Sequence, residues 1–509
     1  MASPPKSARI GFWIGLAVFA PLYLFFDPDP TNPLIGKMAA IAVLMAIWWI
    51  TEAIPLAATS LLPLALFPLA SIASGKEIAP YYINSVIFLF IGGFLLALAM
   101  ERWNLHRRIA LRIILLVGVS PARLVLGFML ATAALSMWIS NTATAIMMLA
   151  IGLAVIKQAE ETFGRDRTAS LSAALLLGIA YSSSIGGLAT LVGTPPNLAL
   201  VRLFEVAFPG AAAADYHISF GQWMLFGLPL SVILLAAAWL VLTQICFRSK
   251  GDLQLDPHAI RDQYLALGRM SREEMTVLAV FIATALLWVF RSDLTLGTFV
   301  VPGWARLIPG GKGVDDGTVA IAMALLLFLL PSGRRGGERG RILGAEVFPK
   351  LPWGIVLLFG GGFALAQGFQ TSGLSNWIGA HFAGLESAPD WVLVGAISTL
   401  ITFLTELTSN IATTEMILPV LASIATAAKI HPLMLMIPAA ISASCAFMMP
   451  VATPPNAIVF ASGRIRIIDM VWAGLLLNLI AVVVVTVVFL LIGPSVFGID
   501  SSALPTWVK

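Results

Sequence analysis

Ser140-Asn141-Thr142-Ala143-Thr144 places hydroxyls and an amide inside strongly apolar sequence, and Ser409-Asn410-Ile411-Ala412-Thr413 is an imperfect copy of it. Polar groups in such surroundings are costly unless a cavity, an ion or another segment satisfies them. A second matched pair, Thr194-Pro195-Pro196-Asn197 and Thr453-Pro454-Pro455-Asn456, interrupts helices, because consecutive prolines remove two donors and push the preceding residue out of helical geometry. An interrupted helix offers two chemistries. Its N-terminal end presents unpaired N–H groups and about half a positive charge, which suit a carboxylate, while unwound carbonyls suit a hard cation such as sodium. No Lys or Arg lies within these four patches, so an anion held among them would be balanced by helix ends and bound cations.

The elements that must position these groups are membrane helices. Of 509 residues, 59% are hydrophobic and 11% charged, and the mean hydropathy is +0.94; a soluble domain carries about 25% charged residues. A net charge of +4 then reflects basic cytoplasmic loops rather than a nucleic-acid surface. Cys246 and Cys445 lie far apart with no metal-ligand or CxxC spacing. The run Ile10 to Phe26 follows Lys6 and Arg9 as a signal peptide would, but it lacks a small-residue cleavage site and is expected to be retained. With roughly 20 apolar residues needed per crossing, spans are expected at 10–26, 36–51, 54–71, 84–101, 222–247, 273–291, 316–332, 353–371 and 468–493. Residues 122–157 and 388–428 are each long enough for two short helices around a Ser-Asn patch, the pattern of a re-entrant hairpin. The segments 172–205 and 433–462 are spans broken at Pro-Pro.

The second half repeats the first. One offset relates Gly93-Phe94 to Gly362-Phe363 and Ser140-Asn141 to Ser409-Asn410, and the Pro-Pro breaks follow in the same order, so an internal duplication is the economical reading. The expected divisions are an N-terminal helix (1–35), a first repeat (36–247), a cytoplasmic linker (248–272) and a second repeat (273–509). Counting crossings from a cytoplasmic N-terminus makes the repeats inverted and leaves the C-terminus outside. That orientation puts most Lys and Arg residues inside, including Arg102, Arg107, Arg108, Arg334, Arg335, Arg464 and Arg466. Inverted repeats with interrupted helices are the architecture of secondary transporters, which bind substrate and coupling ion where the broken helices meet.

Two intramembrane carboxylates, Glu406 and Glu415, are functional candidates by default. Glu406 adjoins the second tip as a structural partner or an ion-site support, Glu415 lies deeper in the returning helix, where a cavity-facing structural role is preferred to a protonatable one, and Glu52 is expected at the cytoplasmic interface. The segment 101–118 could form an amphipathic interfacial helix, and His106, His217 and His431 show no ligand spacing. An intramembrane enzyme would need HExxH, GxGD or a Ser/His pair on membrane helices, and the sequence supplies none.

The stretches Ser136-Met137-Trp138-Ile139-Ser140-Asn141-Thr142-Ala143-Thr144, Phe403-Leu404-Thr405-Glu406-Leu407-Thr408-Ser409-Asn410, Leu191-Val192-Gly193-Thr194-Pro195-Pro196-Asn197 and Pro450-Val451-Ala452-Thr453-Pro454-Pro455-Asn456 together resemble the divalent anion/sodium symporter family of di- and tricarboxylate transporters. Trp49-Ile50-Thr51-Glu52-Ala53-Ile54-Pro55 extends the resemblance to the early spans. The resemblance implies an all-α polytopic protein of about eleven transmembrane helices in the inner membrane of a bacterium. It also implies a homodimer joined through a scaffold domain, with a transport domain that moves as an elevator. Asn141, Thr142, Thr194, Asn410, Ile411 and Thr453 would then surround the substrate. Two sodium sites would be built from Ser136, Ser140, Asn141 and Gly193, and from Thr405, Ser409, Asn410 and Ala452. The hydroxyl pairs Ser136/Ser140 and Thr405/Ser409 have a spacing that suits one helix face. The implied activity is sodium-coupled symport of C4-dicarboxylates such as succinate, malate and fumarate. Sodium-independent dicarboxylate exchange, or carriage of citrate, tartrate or sulfate, are the alternatives. Ile411 departs from the pattern, since many bacterial members carry Thr there, and this bears on selectivity. Glu415 has no place in the pattern.

Overall fold

The computed structural model describes residues 6–118, 120–214, 216–248, 258–296, 299–335, 338–381, 388–500 and 504–508. It is a helical protein with two small antiparallel ribbons, Leu294–Leu296 with Phe299–Val301 and Pro331–Arg335 with Glu338–Arg341. Among the described residues, nine helices are long and apolar enough to cross a membrane. Residues 1–5 of the expected N-terminal unit and 249–257 of the expected linker lie outside the described residues.

The chain opens with α1 (Lys6–Phe25) packed along α2 (Leu34–Thr51). The stretch 54–71, expected as one span, is two short helices, α3 (Leu56–Thr59) and α4 (Leu62–Leu69). Pro63 sits in the first turn of α4, where it has no N–H with which to continue the ladder from α3. After α5 (Gly75–Ile78), closed by a Ser74–Glu77 capping box, α6 (Ser85–Arg102) begins where the Asn84 side chain accepts from the Val86 and Ile87 N–H groups. The expected amphipathic segment is α7 (Leu105–Val117). Its Arg108 is buried and donates to both Glu274 oxygens at 3.0 and 3.1 Å and to the Gly268 and Leu267 carbonyls.

Each stretch expected as a hairpin is a pair of helices joined at its Ser-Asn patch, and the returning helix of the first is longer than expected, 23 residues. The first is α8 (Pro121–Ser136) and α9 (Asn141–Phe163), followed by the broken pair α10 (Arg165–Gly187) and α11 (Pro195–Ala207). Then come α12 (Pro209–Ala213), α13 (Phe220–Leu240) and α14 (His258–Ala266), the last within the expected linker. The second half supplies α15 (Arg272–Val289), α16 (Asp316–Leu329), α17 (Trp353–Ser372) and α18 (Leu374–Ala380). The second hairpin is α19 (Asp390–Thr405) and α20 (Asn410–Ala427), the second broken pair α21 (Leu433–Ser442) and α22 (Pro454–Phe460), and the last helix α23 (Ile467–Phe497).

Packing crosses the halves. The returning helix α20 lies on α11, and α22 lies on α9 and α10, so each hairpin rests against the broken helix of the other half. One large apolar core, which includes Phe128, Tyr181, Trp223, Phe359 and Phe447, runs through both. The helices that carry the polar tips are thereby fixed against the other half by non-polar packing.

Candidate functional site

At the first tip, α8 ends at Ser136 and α9 begins at Asn141, with the Ser140 side chain accepting from the Ala143 N–H at 3.2 Å. This cap leaves the first-turn N–H groups of Asn141 and Thr142 outside the intrahelical ladder. Ser136 Oγ stands 2.6 Å from Asn141 Oδ1 and 2.6 Å from the Ser183 carbonyl oxygen. Gly193 joins them: a Cβ built on Gly187 would fall 2.9 Å from Asn141 Oδ1 and 3.0 Å from the Gly193 oxygen. Ser136, Asn141 and Gly193 are thus brought together, whereas the Ser140 hydroxyl is turned to its own helix.

The second tip repeats the arrangement. Thr405 Oγ1 stands 2.8 Å from Asn410 Oδ1 and 2.8 Å from the Ala443 carbonyl oxygen. Ser409 precedes α20 without a side-chain cap, and no hydrogen bond among the described residues joins Ala452 to this cluster. Ser140, Asn141 and Thr142 are half-buried, as are Ser409, Asn410 and Ile411. Thr194 Oγ1 and Ser444 Oγ meet at 3.4 Å across the two halves, and Thr453 Oγ1 accepts from the Asn456 N–H.

Each hydroxyl owns one hydrogen and stands between two neighbours, the asparagine amide and a main-chain carbonyl. Oxygens gathered in this way are the donor type that a hard cation takes. Among the described residues no group of three or more His, Cys, Asp or Glu side chains could hold a metal. The side chains that meet at each tip are neutral, and their oxygens are of a type that suits a monovalent hard cation.

Residues that sequence reasoning passed over hold the breaks open. Asn197 Nδ2 donates to the Gly187 and Thr190 carbonyls at 3.1 and 2.8 Å, and its counterpart Asn456 donates to those of Ala446 and Met449 at 3.2 and 3.1 Å. Their position in the Thr-Pro-Pro-Asn motif was the available signal. The halves differ in how the unwound strand is secured. Helix α10 continues to Gly187, the counterpart of Ala446, whereas α21 stops at Ser442 and frees more backbone. Glu406, 3% exposed, accepts there from the N–H groups of Phe447, Met448 and Met449 at 2.7, 2.8 and 2.9 Å, and from Asn478 Nδ2 at 2.7 Å. Its counterpart in the first half is Met137, whose carbonyl accepts from the Thr190 hydroxyl at 2.5 Å. A cavity of about 200 Å³ reaches the start of α9 at Ala143 and Thr144 and is lined also by Glu101 and His106.

The family model described as "Sodium:sulfate symporter transmembrane region" matches residues 7–499. The chain belongs to this family. Membership in the sodium:sulfate symporter family makes it a polytopic membrane transporter, not an enzyme, and bears out the family resemblance carried by the tips and breaks. The chain is 44% identical to the sodium-dependent dicarboxylate transporter SdcS of Staphylococcus saprophyticus over 97% of its own length and 94% of that protein. It is 43% identical to SdcS of Staphylococcus aureus strain USA300, over 96% and 92%. Two solved structures share the fold at 15% identity and a TM-score of 0.56. They are Neisseria gonorrhoeae MtrF, over 93% of this chain and 96% of that one, and the Alcanivorax borkumensis YdaH transporter, over 96% and 99%.

Proposed function

We propose that this family member is a sodium-coupled symporter of C4-dicarboxylates such as succinate, malate and fumarate. The observation that carries the reading is the matched pair of oxygen clusters, Ser136/Asn141/Ser183 O and Thr405/Asn410/Ala443 O, each beside a helix start with free N–H groups. Two sodium ions occupy the clusters, with Gly193 at the first and Ser140, Ser409 and Ala452 completing the shells. A dicarboxylate lies between the tips against Asn141, Thr142, Asn410 and Ile411, with Thr194 and Thr453 at its edges. Helix dipoles and the two cations offset its charge. The names of the SdcS relatives support both the cation and the anion.

The hairpins and broken helices form a transport domain that moves as an elevator against a scaffold of the remaining spans. The repeats are inverted, the N-terminus is cytoplasmic, the C-terminus lies outside, and the scaffold pairs two protomers in a bacterial inner membrane. Each sodium entering down a tenfold gradient contributes about 1.4 kcal/mol, so two support roughly hundredfold accumulation before any membrane-potential contribution. Purified protein in proteoliposomes should accumulate labelled succinate when an inward sodium gradient is imposed. Asn141→Ala and Asn410→Ala should abolish that uptake while the protein remains folded. Succinate uptake indifferent to sodium, with counterflow from preloaded vesicles, would instead identify an exchanger.

A further inference from the structure

We propose that Glu415 is a proton-binding site whose proton is a required ligand of the transport cycle. Glu415 lies in α20, just beyond the second tip, and is fully buried at 0% exposure. Both of its carboxyl oxygens lack a hydrogen-bond partner among the described residues. The carboxyl fills the space that a side chain at position 362 of α17 would take: a Cβ built on Gly362 would overlap Glu415 Oε2. A glycine in α17 therefore makes the slot.

No cation relieves the carboxyl. The elements packed on α20 are α2, α11, α17, α18, α19 and α21. Helices α17, α18 and α21 carry no charged residue; Glu52 caps α2 and His381 caps α18. On α2, Lys37 lies over the Tyr23 ring at 6.0 Å, and on α11, Arg202 pairs with Glu205 at 2.9 Å. Asp390 is in the first turn of α19, and Glu406 at its far end is occupied by the 447–449 backbone and Asn478. An ionised carboxylate this deeply buried, with neither a hydrogen-bond partner nor an opposite charge among the described residues, is costly, so the closed arrangement favours the neutral acid. The carboxylate takes one proton from a hydronium ion: an O–H bond of the hydronium breaks, one forms on the carboxyl, and a water molecule is released.

The counterpart in the first half is Ile146, an exposed apolar residue at 55%, so the proton site was not inherited with the repeat and is separate from the two oxygen clusters. Its place on the helix that starts at Asn410 gives the proton a purpose. An ionised Glu415 would oppose a dianion at that helix start, and protonation removes the opposition. The inference rests on the transport reading above, since α20 and α17 must part in some state for the proton to enter.

The test is sodium-driven uptake of labelled fumarate into proteoliposomes, with equal pH on both sides, from about pH 6.5 to about pH 8.5, where fumarate stays a dianion. Wild-type initial rates should fall about threefold or more as pH rises, and Glu415→Gln, a permanent neutral isostere, should give a flat profile. A wild type without that fall, or a variant that keeps it, overturns the proposal. Infrared absorption of the purified proteins gives a readout independent of transport: the carbonyl stretch of a neutral carboxyl should be present in wild type and lost in Glu415→Gln. Identical spectra overturn the proposal, whereas a lost band with no fumarate uptake by either protein overturns the transport reading and leaves the protonated carboxyl standing.

Discussion

Replacing Glu406 with Gln removes one charge and changes almost no volume. The wild-type Oε1 serves three donors, Phe447 N–H, Met448 N–H and Asn478 Nδ2, and Oε2 serves Met449 N–H. A glutamine turned to keep the three must aim its NH2 at the Met449 N–H, donor against donor. Losing that bond costs about 1–3 kcal/mol, and the three remaining bonds fall to roughly half their charged strength. The net loss is about 3–5 kcal/mol, the range found when a buried charged contact is broken. The first half supplies the controls. Thr190→Val removes one hydroxyl bond to the Met137 carbonyl, worth about 1 kcal/mol. Met137→Leu leaves that carbonyl in place and, as a near-isosteric swap, should cost under about 1.5 kcal/mol. Thermal melting of the purified proteins, followed by tryptophan fluorescence, should rank Glu406→Gln well below Thr190→Val, with Met137→Leu nearest wild type. If Glu406→Gln melts with wild type, or no lower than Thr190→Val, the carboxylate does not secure the 447–449 strand.

Gly187→Ala would place a methyl 2.9 Å from Asn141 Oδ1 and 3.0 Å from the Gly193 oxygen, and should clearly reduce the thermal shift that sodium gives the wild type, leaving the part due to the second cluster, while the fold persists at a cost of about 1–3 kcal/mol. A normal sodium shift in that variant would mean that the first cluster is not a cation site. Ile411→Thr adds a hydroxyl at the second tip and should strengthen dicarboxylate binding about two- to tenfold, the worth of one hydrogen bond, measured by competition against labelled succinate. Burial pushes the His431 imidazole down to about 4, against the upward pull of Asp500. The Leu433 N–H donates to its Nδ1, so the folded state holds the neutral ring. The unfolded chain binds the proton more tightly, so stability should fall as pH drops from about 6.5 towards about 4, and His431→Gln should flatten that part of the melting profile.

The hairpins and breaks were legible because each is a polar interruption of apolar sequence and each occurs twice. The sequence also showed the Thr-Pro-Pro-Asn motif, but not that its asparagine is the residue that spans the gap, since nothing local distinguishes a brace from a ligand. Glu406 was visible as an intramembrane carboxylate, while its partners lie 41 to 72 residues further along the chain and are joined to it only by folding. The early end of α21 had no signal of its own: residues 433–446 read as continuous apolar helix, and what stabilises their unwinding is that distant carboxylate. The division of 54–71 was legible in Pro55, Pro63 and Pro68, but the apolar length outweighed them.

The crossed contacts between α20 and α11, and between α22 and α9, set an order of events during synthesis. The first hairpin enters the bilayer long before the ribosome has made its partner at 454–460. Until then its hydroxyls and asparagine have only first-half partners, Ser136 with Asn141 and the Ser183 carbonyl and Ser140 with the Ala143 N–H, and lack the packing of the second half. A nascent chain halted before residue 454 lacks this seven-residue helix and should therefore be cut by added protease at the first hairpin more readily than the full chain.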